Sequence, residues 1–253
     1  MSDLHVTRLG EAGSPVVLCH GLFGQGRNWT QIGKALGASH RVTLVDMPNH
    51  GRSAWTERID LAEMADTIAG LLTEPTALVG HSMGGKVAML VALRHPELVS
   101  RLCVVDVAPV AYRESDEFGR FIDAMLGIDL AALGSRADAD AALAEAVPDP
   151  GVRAFLLQSL RREGDVWQWM SNLEVLRRDL GAIRGWSDVD AVYDGPVLWI
   201  AGGASRYVRD EHRAAMEALF PRVRRATVKG AGHWVHSQEP AVVTDLLTRF
   251  LAD

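Results

Sequence analysis

The residues Val79-Gly80-His81-Ser82-Met83-Gly84-Gly85 set a serine between two glycines, where an apolar run meets a helical pattern. Thr76-Ala77-Leu78-Val79 precedes it, and Lys86 to Arg94 follows. Strand, Gly-x-Ser-x-Gly, helix is the setting of a nucleophile elbow; the string alone also occurs as a plain Gly-rich turn. A serine at so sharp a turn sits in strained backbone and displays its hydroxyl. Gly80 and Gly84 lack Cβ atoms, so neighbouring backbone can close on the turn. The helix that starts there aims its N–H groups and positive dipole end at the site. The chemistry predicted is attack on a carbonyl by Ser82.

Such a nucleophile needs a base, a group that orients the base, and donors for an oxyanion. His233 fits the base. It lies in Lys229-Gly230-Ala231-Gly232-His233-Trp234-Val235-His236, a Gly-rich loop between the last apolar run and the last helical pattern. In open α/β sheets, ligands bind outside the carboxyl ends of the strands, and a loop there can reach Ser82. His81 is expected to point away from the serine, and His236 to support the loop. Asp106 closes the run Leu102-Cys103-Val104-Val105-Asp106, expected beside the strand that carries Ser82. Its carboxylate would accept the imidazole Nδ1–H, fix the tautomer and stabilise the imidazolium. Competing acids are Asp210, which reads as a helix-start residue, Asp194 in the turn before Gly195-Pro196, and Asp46. The last is expected to bond the Met47-Pro48-Asn49-His50-Gly51 turn. The chain order Ser82, Asp106, His233 matches one hydrolase architecture. The oxyanion donors are backbone N–H groups of Met83 and of Leu22, in the loop His20-Gly21-Leu22-Phe23-Gly24, with Phe23 as second choice.

These residues require a sheet to position them. Strand runs are expected at Pro15 to Cys19, Arg41 to Val45, Thr76 to Val79, Arg101 to Asp106, Pro196 to Ala201 and Arg224 to Val228, with a weakly marked one at Leu4 to Leu9. Helical patterns lie at Trp29 to Leu36, Asp60 to Leu72, Gly85 to Arg94, Asp210 to Phe220 and Pro240 to Leu251. This alternation predicts βαβ units and a largely parallel sheet covered on both faces. From about Tyr112 to Val192 no strand run is legible. Helical patterns at Glu117 to Met125, Ala137 to Ala146, Val152 to Leu160 and Leu173 to Arg178 predict a helical insertion there, because so long a loop is implausible in a compact domain. The expected organisation is a core of 1–111 and 193–253 with an insertion of 112–192.

At 253 residues, 48% of them hydrophobic, the chain can bury a sizeable core. A net charge of −6 with no basic run argues against nucleic-acid binding. No apolar stretch reaches the ~18 residues of a membrane span, and Met1-Ser2-Asp3-Leu4-His5 has neither a basic nor an apolar leader segment. Cys19 and Cys103 fall inside apolar runs and read as buried thiols in a reducing compartment, so a cytoplasmic location is expected. No metal-ligand spacing is present, Gly21-x-x-Gly24-x-Gly26 lacks the ending of a phosphate loop, and neither metal nor cofactor is expected.

His20-Gly21-x-x-Gly24, Asp46-x-Pro48-x-His50-Gly51-x-Ser53, Gly80-x-Ser82-x-Gly84-Gly85 and Gly232-His233-Trp234, in this order, resemble the α/β-hydrolase superfamily over nearly the whole chain. The longer strings Asn49-His50-Gly51-Arg52-Ser53, Gly80-His81-Ser82-Met83-Gly84-Gly85-Lys86, Asp106-Val107-Ala108-Pro109 and Gly232-His233-Trp234-Val235-His236 are similar to the small bacterial esterases of the YbfF type. The resemblance implies an α/β-hydrolase fold, a mostly parallel sheet flanked by helices, with a helical cap inserted after the sixth strand. Many superfamily members place the acid after the strand corresponding to Pro196 to Ala201. Here that loop reads Gly202-Gly203-Ala204-Ser205-Arg206-Tyr207, with Ser205 where an Asp might otherwise stand. The YbfF-type pattern supports Asp106 and leaves Ser205 as a candidate fourth member, against plain turn chemistry.

The activity implied is a serine carboxylesterase that acts on small-molecule acyl esters, and on thioesters as a further class, through an acyl-enzyme. Trp167, Trp169, Trp186 and Trp234 are candidates for the acyl pocket, although aromatics of an insertion more often form its own core. Serine at the elbow disfavours the dehalogenase and epoxide-hydrolase branches, which use Asp there. A C–C bond hydrolase or lyase with the same triad, or a receptor that binds without turnover, would keep the same residues.

Overall fold

The apolar runs assemble into one sheet. In the computed structural model, which describes residues 3–113, 116–187 and 189–252, the strands are β1 (Val6–Leu9), β2 (Pro15–Cys19), β3 (Arg41–Val45), β4 (Thr76–His81), β5 (Val99–Val105), β6 (Leu160–Glu163), β7 (Val166–Trp169), β8 (Val197–Gly202) and β9 (Val223–Val228). The helices are α1 (Thr30–Leu36), α2 (Leu61–Ala69), α3 (Met83–Arg94), α4 (Glu117–Leu126), α5 (Arg136–Leu143), α6 (Pro150–Leu156), α7 (Leu173–Arg178), α8 (Leu180–Arg184), α9 (Arg213–Leu219), α10 (Val235–Gln238) and α11 (Pro240–Ala252). Seven strands form the main sheet, in the order β1-β3-β2-β4-β5-β8-β9. β1 is antiparallel to β3 and all other neighbours are parallel. The central β2, β4, β5 and β8 are buried along most of their length, which is why they read as continuous apolar runs.

Alternation along the strands divides their side chains between two cores. Val16, Leu18, Val79 and Val105 pack with Ile32 and Leu36 of α1 and Val243 and Leu247 of α11. Val17, Leu78, Leu102 and Val104 pack with Met64 and Ile68 of α2 and with α3. α3 buries every residue from Met83 to Leu93, so it lacks a polar face to mark it as amphipathic. Asp60 starts α2 by accepting the Ala62 and Glu63 N–H groups. Cys19 and Cys103 belong to opposite cores and are free thiols, and burial pushes Cys19 up to about 12. Among the described residues no helix is long and apolar enough to cross a membrane.

The stretch between β5 and β8 corrects two expectations. It leaves the sheet after the fifth strand, not the sixth, because β1 is the single strand ahead of β2. It is also not wholly helical: α4, α5, α6, α7 and α8 share it with an antiparallel hairpin of β6 and β7, registered Leu160 against Trp169 and Glu163 against Val166. The predicted helix to Leu160 ends instead at Leu156. Gly164, at φ 59°, supplies the left-handed turn residue of the hairpin. The polar run Arg161-Arg162-Glu163 hid this strand from a search for apolar runs.

Polar contacts fasten this stretch to the rest. The Asn172 N–H donates to the Asn49 carbonyl at 2.9 Å, and Asp179 accepts the Ile59 N–H at 2.8 Å. Buried Lys86 of α3 donates to the carbonyls of Arg184 at 2.8 Å and Gly185 at 2.5 Å, and more weakly to Ile183 at 3.4 Å, at the C-terminal end of α8.

Candidate active site

The sheet order sets the site. β4 lies between β2 and β5, and β8 and β9 follow, so the loops after β2, β4, β5, β8 and β9 line up along one edge. Ser82 sits immediately after β4, at φ 52° and ψ −119°, a strained conformation for a residue with a side chain. Two bonds hold it: its N–H donates to Val105 at 3.0 Å, and its carbonyl accepts the Lys86 N–H at 3.0 Å. A Cβ on Gly80 would lie 2.2 Å from the Gly84 carbonyl oxygen, and one on Gly84 would lie 2.4 Å from that of His20. Both elbow glycines are therefore required by close backbone approach.

His233 stands between Ser82 and Asp106. Its Nε2 is 3.0 Å from Ser82 Oγ, and its Nδ1 is 2.8 Å from Asp106 Oδ2. Asp106, fully buried at the end of β5, accepts the Gly202 N–H on Oδ1 at 2.8 Å and the Ser205 hydroxyl on Oδ2 at 2.5 Å. A carboxylate only accepts, so His233 donates from Nδ1 and leaves Nε2 to accept from Ser82. The arrangement can take the serine proton at Nε2 and stabilise the resulting imidazolium through Asp106. Two competing acids are occupied elsewhere: Asp210 pairs with Arg225 at 2.7 Å, and Asp46 accepts the Gly26 N–H at 2.7 Å and the Arg52 N–H at 2.9 Å; Asp194 lies ahead of β8, at the opposite end of that strand from Gly202 and Ser205.

The loop after β2 packs on the serine: a Cβ on Gly21 would lie 3.0 Å from Ser82 Cβ. Neither Leu22 nor Met83 uses its backbone N–H within the described residues, so both donors are available to an oxyanion. Phe23, at φ 65°, turns its ring toward Phe118 of α4, 6.0 Å away.

His81 donates from Nε2 to the His233 carbonyl at 2.8 Å, with its ring 4.8 Å from the His233 ring. His236 stacks on Trp29 at 4.4 Å and lies 4.4 Å from His81. His20 donates from Nδ1 to the Gly21 carbonyl at 2.7 Å and accepts the Met47 N–H at 2.9 Å. Burial holds His20 down at about 4, His50 and His236 at about 3, and His81 well below the usual histidine range. Of these, His81 and His236 pack beside the loop that carries His233.

Of the four tryptophans, Trp234 alone has a ring contact with the triad, 5.5 Å from His233. Trp169 donates to the Met125 carbonyl at 3.1 Å, and Trp167 lies under the guanidiniums of Arg136 and Arg162. Trp186 borders a separate cavity with Tyr112 and Arg184. These three pack within the insertion rather than against Ser82, Asp106 or His233. Tyr207, stacked at 4.0 Å, and Phe118, at 6.1 Å, also meet the His233 imidazole. Tyr112 ties that corner together, accepting the Ala108 N–H and donating to the Tyr207 carbonyl, both at 2.7 Å. Tyr207 closes the loop that carries Ser205, whereas Tyr112 and Phe118 lie in no motif that the sequence marks out.

Comparison with known proteins gives the lineage. A family model described as alpha/beta hydrolase fold matches residues 14–240. The mouse protein named sn-1-specific diacylglycerol lipase ABHD11 is 39% identical over 254 residues, covering 96% of this chain and 83% of its own. Esterase YbfF of Escherichia coli K12 is 35% identical over 246 residues, covering 95% of this chain and 94% of its own. A solved structure titled marine microorganism esterase superposes with a TM-score of 0.95 at 30% identity, covering 99% of this chain and 100% of that one. The chain belongs to the α/β-hydrolase fold family.

Proposed function

We propose that this chain is a serine carboxylester hydrolase with Ser82, His233 and Asp106 as its triad. The observation that carries the reading is the continuous hydrogen-bond chain from Ser82 Oγ through His233 to Asp106, at 3.0 and 2.8 Å, on a strained elbow. The names of its relatives, two esterases and a lipase, support ester hydrolysis.

Ser82 Oγ attacks the ester carbonyl carbon while its proton passes to His233 Nε2. The carbonyl π electrons move onto oxygen, and the Leu22 and Met83 N–H groups receive the resulting oxyanion. Collapse breaks the bond to the alcohol, whose oxygen takes the Nε2 proton as it leaves. Water then attacks the acyl-Ser82 ester by the same route and releases the acid and the free serine. Ser205 positions Asp106 through its hydroxyl. Phe118, Tyr207 and Trp234, grouped around His233, bound the space where the ester sits. The chain before residue 112 and after residue 192 supplies the catalytic core, and the segment between acts as its cap. Thioesters are the further substrate class, since their carbonyl reacts by the same steps.

Turnover of p-nitrophenyl acyl esters of graded chain length, with labelling by a serine-reactive phosphonate, tests the assignment. Ser82→Ala is expected to abolish both turnover and labelling. Wild-type turnover in that variant would sink the triad. No acyl-ester turnover by the wild-type protein would favour a binding receptor or a C–C bond hydrolase.

A further inference from the structure

At the seam between the cap segment and the core lies a cavity of about 500 Å³ whose walls include Arg27, Arg52, Arg136, Arg161, Arg162 and Trp167. Five guanidiniums around one hollow stand out on a chain with a net charge of −6. Three of them have no carboxylate partner. Arg27 donates to the Gln158 carbonyl, and Arg136 donates to the carbonyls of Leu157 and Leu160. The Arg52 guanidinium has no hydrogen-bond or ion-pair partner among the described residues. Arg161 and Arg162 pair with Glu163 at 3.3 Å and Asp165 at 3.2 Å, exposed contacts that leave their charge largely available. Asp46 is the one carboxylate in the wall, and its oxygens are engaged by the Gly26 N–H, the Arg52 N–H and His5 Nδ1.

A further observation points to a ligand. Arg27 is held below the usual arginine range by burial and then by repulsion from Arg136, Arg161 and Arg52, against which Asp46 is the sole offset. An anion in the cavity would relieve that repulsion. Guanidinium forks match phosphate oxygens two at a time. The volume lies within the range of small-ligand pockets, roughly 300–1,000 Å³.

We propose that this cavity binds a phosphate-bearing anion, with a diphosphate the best match to three unneutralised guanidiniums. The site shares no residue with Ser82, Asp106 or His233 and does not depend on the ester reading. The anion comes either free in solution or attached to the alcohol part of an ester whose acyl end reaches Ser82.

Calorimetric titration with sodium pyrophosphate, and separately with inorganic phosphate, at fixed physiological ionic strength tests the site. Expected is a single pyrophosphate site, tighter than that for phosphate, weakened about tenfold or more in Arg136→Gln and in Arg52→Gln. Arg52 makes no side-chain bond that the fold needs, so its variant separates lost binding from misfolding. Absence of saturable pyrophosphate binding, or equal affinity in Arg52→Gln, overturns the proposal. Competition by pyrophosphate against a phosphorylated acyl ester, but not against a neutral one, assigns the anion to the substrate. Binding without competition assigns it to a free effector, and either pattern upholds the site.

Discussion

In Asp106→Asn the side chain keeps its shape but has one acceptor oxygen in place of two. Three donors point at it: the Gly202 N–H at 2.8 Å on one oxygen, and the His233 Nδ1–H at 2.8 Å and the Ser205 hydroxyl at 2.5 Å on the other. The Gly202 donor is backbone and cannot turn aside, whereas the serine hydroxyl can rotate to accept. The amide oxygen should therefore face Gly202 and its NH2 should face His233. The reverse orientation would press the NH2 against a buried N–H, at a cost of about 1–3 kcal/mol. With an NH2 opposite, His233 must accept at Nδ1 and carry its proton on Nε2, aimed at Ser82 Oγ 3.0 Å away. That tautomer cannot take the serine proton. The expected loss in kcat is about 10⁴-fold, or about 5 kcal/mol of barrier. KM should change little, because Asp106 is buried behind His233 and does not reach the substrate. The assay is p-nitrophenyl ester turnover, with thermal unfolding alongside to confirm that the variant folds. A folded variant that loses less than about tenfold would refute the tautomer argument and move the orienting acid elsewhere.

The buried histidines predict acid lability. His20, His50, His81 and His236 have folded-state values depressed below 6.5, so in mild acid the unfolded chain binds protons that the folded chain does not. Stability is fully present above about pH 6.5 and falls as pH drops toward about 4, by up to about 1.4 kcal/mol per pH unit for each group; equal urea midpoints at pH 7 and pH 5 would contradict this. Burial likewise pushes Lys86 from 10.5 down to about 7, so the contribution of this group to stability rises with pH between those values. Lys86→Met should remove that rise and cost about 1–3 kcal/mol, because the α8 carbonyls lose their donor; urea unfolding of both proteins at pH 7 and pH 9 checks it, and an identical pH slope would rule it out.

Much of the site was legible because its residues answer to local rules. Gly80, Ser82 and Gly84 announce themselves by spacing, and the steric clashes that a Cβ would bring explain why. Asp106 is legible because β5 is an apolar run whose end is easy to see, and His233 because it sits in a Gly-rich loop just after the edge strand β9. What stayed hidden depends on contacts between distant parts of the chain. Tyr207 stacks on His233 and Phe118 approaches it; the loop of Tyr207 is marked only through Ser205, and nothing near Phe118 in sequence marks that ring. The three insertion tryptophans were plausible pocket residues by type, but Trp169 spends its N–H on Met125 and Trp167 lies against arginines. The hairpin of β6 and β7 escaped because its strands are short and partly charged, so only the Gly164-Asp165 turn could have suggested it.

Ser205 stands one strand over from Asp106, and the two meet at 2.5 Å on the same oxygen that serves His233. Two addresses on the chain, more than ninety residues apart, thus meet at the one carboxylate oxygen that faces the imidazole. A carboxylate at either address would face the same base with only a small adjustment of the loop. The acid is therefore interchangeable between neighbouring strands in a way the nucleophile is not, because the elbow fixes Ser82 to a single backbone conformation. The place of the orienting acid is thus shared between two neighbouring strands, whereas the serine has no second place to go.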